Sequence, residues 1–162
     1  MDKNLELIQS EINNLNILSK MNNIDEILKR SSILIQKYPK VYVFYNFLGF
    51  SLEKKNKIYE AETAFVKSLE INSKNIFALI NLGRLSRLVN KLQRSEKLLK
   101  EALDLEPDNL FAQLYYGELK IDQNNFKDAI FIFEKIYKKD KNFQNITMKL
   151  ANTHSILGDF KK

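Results

Sequence analysis

The sequence has no cysteine, one histidine, two prolines and four glycines among 162 residues. Without cysteine there are no disulfides and no thiolate chemistry. The lone histidine, His154, has no second imidazole or thiolate to join it, whereas a zinc site needs three or four ligands. Its expected role is a packed or half-exposed ring. The carboxylates Asp104, Glu106 and Asp108 crowd a helix end and read as solvated charges and caps. No apolar run approaches the roughly 20 residues that a membrane-spanning helix requires. The opening stretch MDKNLELIQSEINN has no basic segment followed by an apolar block, so no secretory leader is expected and a cytoplasmic setting is the default.

Arginine is also scarce. The net charge is +6 and the pI about 9.3, but the excess is nearly all lysine; the arginines are Arg30, Arg84, Arg87 and Arg94. Heavy use of lysine, asparagine and isoleucine matches the bias of an AT-rich genome. Base and phosphate readers lean on arginine, so nucleic acid is not the expected partner. No glycine-rich phosphate loop exists, nothing marks an activated serine, and strand-like alternation is absent. Catalytic residues, metal ligands and cofactors are therefore expected to be none.

What the sequence does contain is a repeat. Gly49, Gly83 and Gly117 follow one another at intervals of 34 residues. Asn22, Asn56, Asn90, Asn124 and Gly158 form a second ladder with the same interval, and Pro39 and Pro107 stand two intervals apart. All six glycines and prolines are in register. Apolar residues between these marks keep helical spacing, as in Tyr45, Leu48, Gly49 and Leu52. A glycine inside a helix costs about 1 kcal/mol relative to alanine, so three in register imply a close approach that a side chain would block. The asparagine ladder suits a residue with positive φ ending a helix. Large apolar residues fill the remaining contacts: Leu48, Leu82, Tyr116 and Leu150 on first helices, Phe65, Leu99 and Phe133 on second helices. Burying each is worth about 1.5–3 kcal/mol.

The stretch 76–109, IFALINLGRLSRLVNKLQRSEKLLKEALDLEPDN, resembles a tetratricopeptide repeat (TPR), whose period is 34 residues of helix, turn and helix. The resemblance extends over nearly the whole chain. It implies an all-α fold, an α-α superhelix or TPR solenoid. About three full repeats are expected at 42–75, 76–109 and 110–143. A degenerate helical hairpin at 4–39 precedes them, and a C-terminal half repeat at 144–162 follows. In the hairpin, Leu15 stands where later repeats have glycine and Ile27 where they have Ala61, Ser95 or Ala129. In the family, the close approach at the glycines comes from the second helix of the same pair. Ser73 and Lys141 replace the usual closing proline, leaving the first of these boundaries to Asn72 and Asn75 as turn and cap residues. The last helix is expected near 143–157, with Gly-Asp-Phe at 158–160 as the turn into a further helix.

The same resemblance implies function. In TPR arrays the first helices line a concave groove that binds a peptide or partner protein. Carried onto this sequence, the groove residues are Val43, Asn46, Phe47, Phe50, Phe77, Asn81, Arg84, Arg87, Phe111, Tyr115 and Glu118, with Ile80, Leu114, Met148, Lys149 and Asn152 beside them. Only Asn81 matches the polar clamp with which chaperone-binding members hold a peptide carboxylate. The groove is instead aromatic, with Arg84 and Arg87 one turn apart as its cationic feature, and aromatic residues with arginine are common binding anchors. The expected function is a non-catalytic protein–protein interaction scaffold. An alternative is the N-terminal, substrate-recruiting TPR region of a larger sulfotransferase or glycosyltransferase, since the sequence is similar to regions that precede such domains in bacteria. A third expectation is weak self-association through the C-terminal helix.

Overall fold

The computed structural model describes residues 3–158. Every regular element among them is helical: α1 (Lys3–Lys20), α2 (Ile24–Lys37), α3 (Tyr42–Lys54), α4 (Ile58–Ile71), α5 (Ile76–Leu88), α6 (Leu92–Leu105), α7 (Leu110–Asp122), α8 (Phe126–Lys139) and α9 (Ile146–Leu157). The all-α expectation holds. No helix among the described residues is long and apolar enough to cross a membrane. The expected turn into a further helix lies, beyond Gly158, outside the described residues.

The asparagine ladder is a ladder of left-handed residues. Asn22, Asn56, Asn90 and Asn124 have φ of 53°, 60°, 58° and 58°, and Gly158 has 79°. Each asparagine ends a first helix in a Schellman turn. The N–H that follows it reaches back five residues, Asn23 to Leu18 O, Lys57 to Leu52 O, Lys91 to Ser86 O and Asn125 to Lys120 O, at 2.8–2.9 Å. Second helices close on a ladder of their own. The N–H groups of Tyr38, Asn72, Glu106 and Asp140 bond to Leu34 O, Ser68 O, Ala102 O and Ile136 O. Three residues further on, Val41, Asn75, Asn109 and Phe143 return their N–H to those same four residues. The turn is therefore the same where Pro39 and Pro107 follow and where Ser73 and Lys141 replace them. Proline stiffens this turn and is not required for it.

The chain divides into two compact units that part between Ala78 and Leu79. In the first, α1, α2, α3 and α4 pack in succession. Its core gathers Leu15, Ile27, Leu34, Tyr38 and Phe44, with Ile12, Phe47 and Phe50 packed against them. In the second, α6, α7, α8 and α9 pack in succession, and Leu114, Ala129, Phe133, Ile136 and Ile146 form a core.

The glycines meet the large residues of the second helices. A Cβ placed on Gly49 would lie 2.7 Å from the Phe65 ring, and one on Gly83 would lie 2.7 Å from Leu99 Cγ; at Gly117 the obstacle is Phe133. Ala61, Ser95 and Ala129, each four residues earlier, are small and fully buried. The first pair solves the same problem with sizes exchanged. Leu15 holds the glycine position, and the position of Phe65 is taken by Ser31; both are fully buried. Leu48, Tyr116 and Leu150 are half-buried, while Leu82 is sealed.

The last helix departs from expectation. It starts at Ile146, after a 3₁₀ turn over Phe143–Asn145 in which Gln144 and Asn145 both adopt positive φ, 45° and 56°. The two left-handed residues re-aim the chain. Phe143 meets Phe111 edge-on with 5.0 Å between ring centroids, and Ile146 is fully buried.

Candidate functional site

In the first unit, Val43, Asn46, Phe47, Phe50 and Phe77 line one hollow of about 400 Å³. Helical spacing on α3 puts 43, 46, 47 and 50 on one face, and Phe77 comes from the first turn of α5. Phe47 and Phe50 are half-buried and also pack on the core, so they serve both places. Phe77 is 46% exposed, its ring tilted against Phe65 at 6.1 Å. The Lys54 ammonium lies 5.6 Å from the Phe50 ring centroid.

A polar network closes the hollow. The single Ser68 hydroxyl hydrogen has two acceptors in reach, Asn46 Oδ1 at 2.8 Å and Tyr42 O at 3.0 Å. The Asn75 amide donates to Asn46 Oδ1 at 2.8 Å and to Ser68 Oγ at 2.6 Å. Asn46 Nδ2 reaches Asn75 Oδ1 at 3.4 Å. Ser68 is sealed and Asn75 is 6% exposed, so these are buried polar groups that pair with one another. Asn75 thus does more than close a turn, the only role its position in the sequence suggested. Asn16, Ser19 and Tyr42 also border the hollow and had no signal in the sequence.

The second unit holds Asn81, Arg84, Arg87, Phe111, Tyr115 and Glu118. The Arg84 guanidinium stands 5.5 Å from the Tyr115 ring centroid, within cation–π range. Arg84 Nη2 also approaches Asn81 Oδ1 at 3.4 Å. Arg87 is different. It donates to Glu118 at 2.7 Å and to Asp122 at 2.9 Å, and Glu118 accepts as well from Lys149. The pair Arg87 and Glu118 is largely shielded, at 18% and 15% side-chain exposure. The charge at position 87 is therefore matched within the protein. Phe111 is 44% exposed. Ile80 and Leu114, expected beside the groove residues, are buried. Met148 and Asn152 are exposed and Lys149 half-buried.

Elsewhere in this unit, Glu96 on α6 accepts hydrogen bonds from Lys100, Lys120 and Gln123 at 2.9–3.1 Å and from the Tyr116 hydroxyl at 3.4 Å. Hydrogen bonds from Gln123, Lys100 and Lys120 hold its carboxyl down to about 2. Burial pulls the Lys120 ammonium down, but its bonds to Glu96 and Tyr116 outweigh that and leave it raised. Glu96 and Lys100 are an i,i+4 pair on α6, whereas no sequence signal pairs Glu96 with Tyr116 and Lys120 on α7 or with Gln123, which caps it. His154 is half-buried, as its position suggested. Among the described residues, no group of three or more His, Asp and Glu side chains could hold a metal ion.

Two family profiles described as tetratricopeptide repeat match the chain, one over residues 89–152 and one over residues 42–75, together more than half of it. No curated protein matches. Among solved structures, the fold is similar to YrrB, described as a TPR protein with an unusual peptide-binding site (18% identity, 93% of this chain and 78% of that one, TM-score 0.71). It is similar also to Pseudomonas aeruginosa pilF (16%, 93% and 69%, 0.81) and to MamA from Desulfovibrio magneticus RS-1 (14%, 94% and 86%, 0.79). At these identities the likeness is one of fold.

Proposed function

Because the chain belongs to the tetratricopeptide repeat family, we propose that it is a non-catalytic scaffold that binds an extended peptide or a partner protein on the inner face of its first helices. The observation that supports this most is the first unit's hollow, where Phe47, Phe50 and Phe77 border an open space, although Phe47 and Phe50 also pack on the core. A folded chain normally seals its phenylalanines, and half-open aromatics around a concavity are the usual anchors of a partner. Arg84 over Tyr115 adds an aromatic–cation feature of the same kind in the second unit. That YrrB is described as having a peptide-binding site on a similar fold agrees with the reading.

The test is calorimetric titration of the chain with a purified partner identified by crosslinking. Phe50→Ala and Arg84→Ala should each weaken binding by about tenfold or more, with the helical circular dichroism unchanged. Unchanged affinity in both variants, with the fold intact, rejects the proposal.

A further inference from the structure

We infer that the hollow of the first unit is an anchor pocket for a single uncharged, apolar side chain in the interior of an extended peptide, with the Asn46 and Asn75 amides reading the main chain beside it. The inference rests on the scaffold reading and narrows it to a ligand chemistry.

Three observations carry it. The first is charge. None of the residues that line the hollow is ionisable at neutral pH. A carboxylate or ammonium entering it would be desolvated without a counter-charge, which is costly. Lys54 lies over the Phe50 ring and is not part of the lining. The second is size. About 400 Å³ falls at the low end of the ~300–1,000 Å³ range of ligand pockets, suited to a leucine or phenylalanine with a peptide unit on either side.

The third is the hydrogen-bond inventory at the polar wall. An asparagine amide has two donor hydrogens and an oxygen that accepts twice. Asn46 Oδ1 accepts from Asn75 and faces the Ser68 hydroxyl, whose single hydrogen is also within reach of Tyr42 O, and the Asn75 amide nitrogen donates to Asn46 and Ser68. What remains is one Asn46 hydrogen with no acceptor among the described residues, and an Asn75 oxygen met only by the 3.4 Å approach of Asn46. One donor and one acceptor, side by side, complement the C=O and N–H of a main chain. Their own partners fix the orientation of both amides, so the pair is set before any ligand arrives. A terminal carboxylate offers two acceptors and no donor, and so fits this wall poorly.

The experiment uses the ¹⁵N-labelled chain and N-acetyl-leucine-N-methylamide, a neutral leucine between two peptide units. Fast-exchange chemical-shift changes at millimolar concentration are expected at the Asn46 and Asn75 side-chain amides and at Phe47 and Phe50. The alanine counterpart should bind about tenfold more weakly or worse, from the lost apolar burial. N-acetyl-leucine with a free carboxylate and N-acetyl-aspartate-N-methylamide should be weaker than the neutral leucine by a similar factor. Val43→Asp should abolish the leucine response, and Phe77→Ala, at an already half-open position, should weaken it without loss of helical signal. Silence at the hollow with the neutral leucine, or equal responses to the charged probes, overturns the inference. If the hollow is silent while a purified partner still loses affinity in Phe50→Ala, the anchor reading falls and the scaffold stands. If neither Phe50→Ala nor Arg84→Ala affects partner binding, the scaffold reading falls and takes this one with it.

Discussion

Gly83→Ala should destabilise the protein although alanine is the better helix former. Two opposing terms set the size of the effect. Replacing a mid-helix glycine with alanine gains about 1 kcal/mol of intrinsic helix preference. Against this, the new methyl would stand 2.7 Å from Leu99 Cγ and 2.9 Å from Cδ2, where carbon atoms at rest are about 3.5–4.0 Å apart. Leu99 is fully buried, and the obstructing atom is its branch point, so a rotamer change of the methyls does not clear the space. Overpacking of this kind costs about 1–3 kcal/mol. With the overlap near 1 Å, the upper part of that range applies, and the net loss is about 1–2 kcal/mol. For a chain of this length that lowers Tm by roughly 3–6 °C. Leu99→Ala alone opens a cavity and costs about 2–5 kcal/mol. The double variant should lose about 1–2 kcal/mol less than the sum, because the Gly83→Ala methyl then occupies space that Leu99 has vacated. Urea denaturation followed by circular dichroism measures all four corners of this cycle. A stabilising Gly83→Ala, or strict additivity with Leu99→Ala, would refute the argument that the glycines exist to admit the facing side chain.

Two further outcomes follow from the turns and the charges. At Asn90, where φ is 58°, Asn90→Gly should be neutral or slightly stabilising, whereas Asn90→Val should cost about 1–2 kcal/mol because a branched side chain is strained in the left-handed region; equal melting temperatures for the two would contradict this. Glu96 has a carboxyl held at about 2 against an ordinary 4.5. Its contribution is thus fully present above pH 4.5 and is lost as pH falls toward 2. The loss is at most about 3 kcal/mol, reduced by water at a side chain one quarter exposed. Glu96→Gln should flatten the fall in urea midpoint between pH 5 and pH 3, and a variant with the wild-type slope would show that other carboxylates cause it.

The repeat was legible in the sequence because its marks are local. A left-handed turn selects Asn or Gly at one position, and a close helix contact selects Gly at another, so Asn56, Asn90 and Gly83 announce themselves without knowledge of their partners. The features that escaped depend on distant residues. Ser68 and Asn75 meet Asn46 from 22 and 29 positions away, and Glu118 finds Arg87 31 positions back; nothing in the residue types alone fixes those pairings. Five of the eleven expected groove residues come together around one hollow, because 43, 46, 47 and 50 share a helical face whatever lies opposite. Their polar neighbours could not be read in the same way. The late start of α9 escaped for another reason: Gln144, at φ 45°, is an uncommon residue in the left-handed region, so its type gave no sign of the bend.

The exchange of sizes between Leu15 and Ser31 has a consequence for anyone rearranging this chain. Later pairs place nothing on the first helix and a bulky group on the second, while the opening pair does the reverse. Helices from the two kinds of pair are therefore not interchangeable parts. Marrying α2 to α3 in one hairpin would set Ser31 opposite Gly49 and leave a void, and marrying α1 to α4 would force Leu15 into Phe65. Shuffled versions of this protein will hold together only when both members of a pair are moved as one.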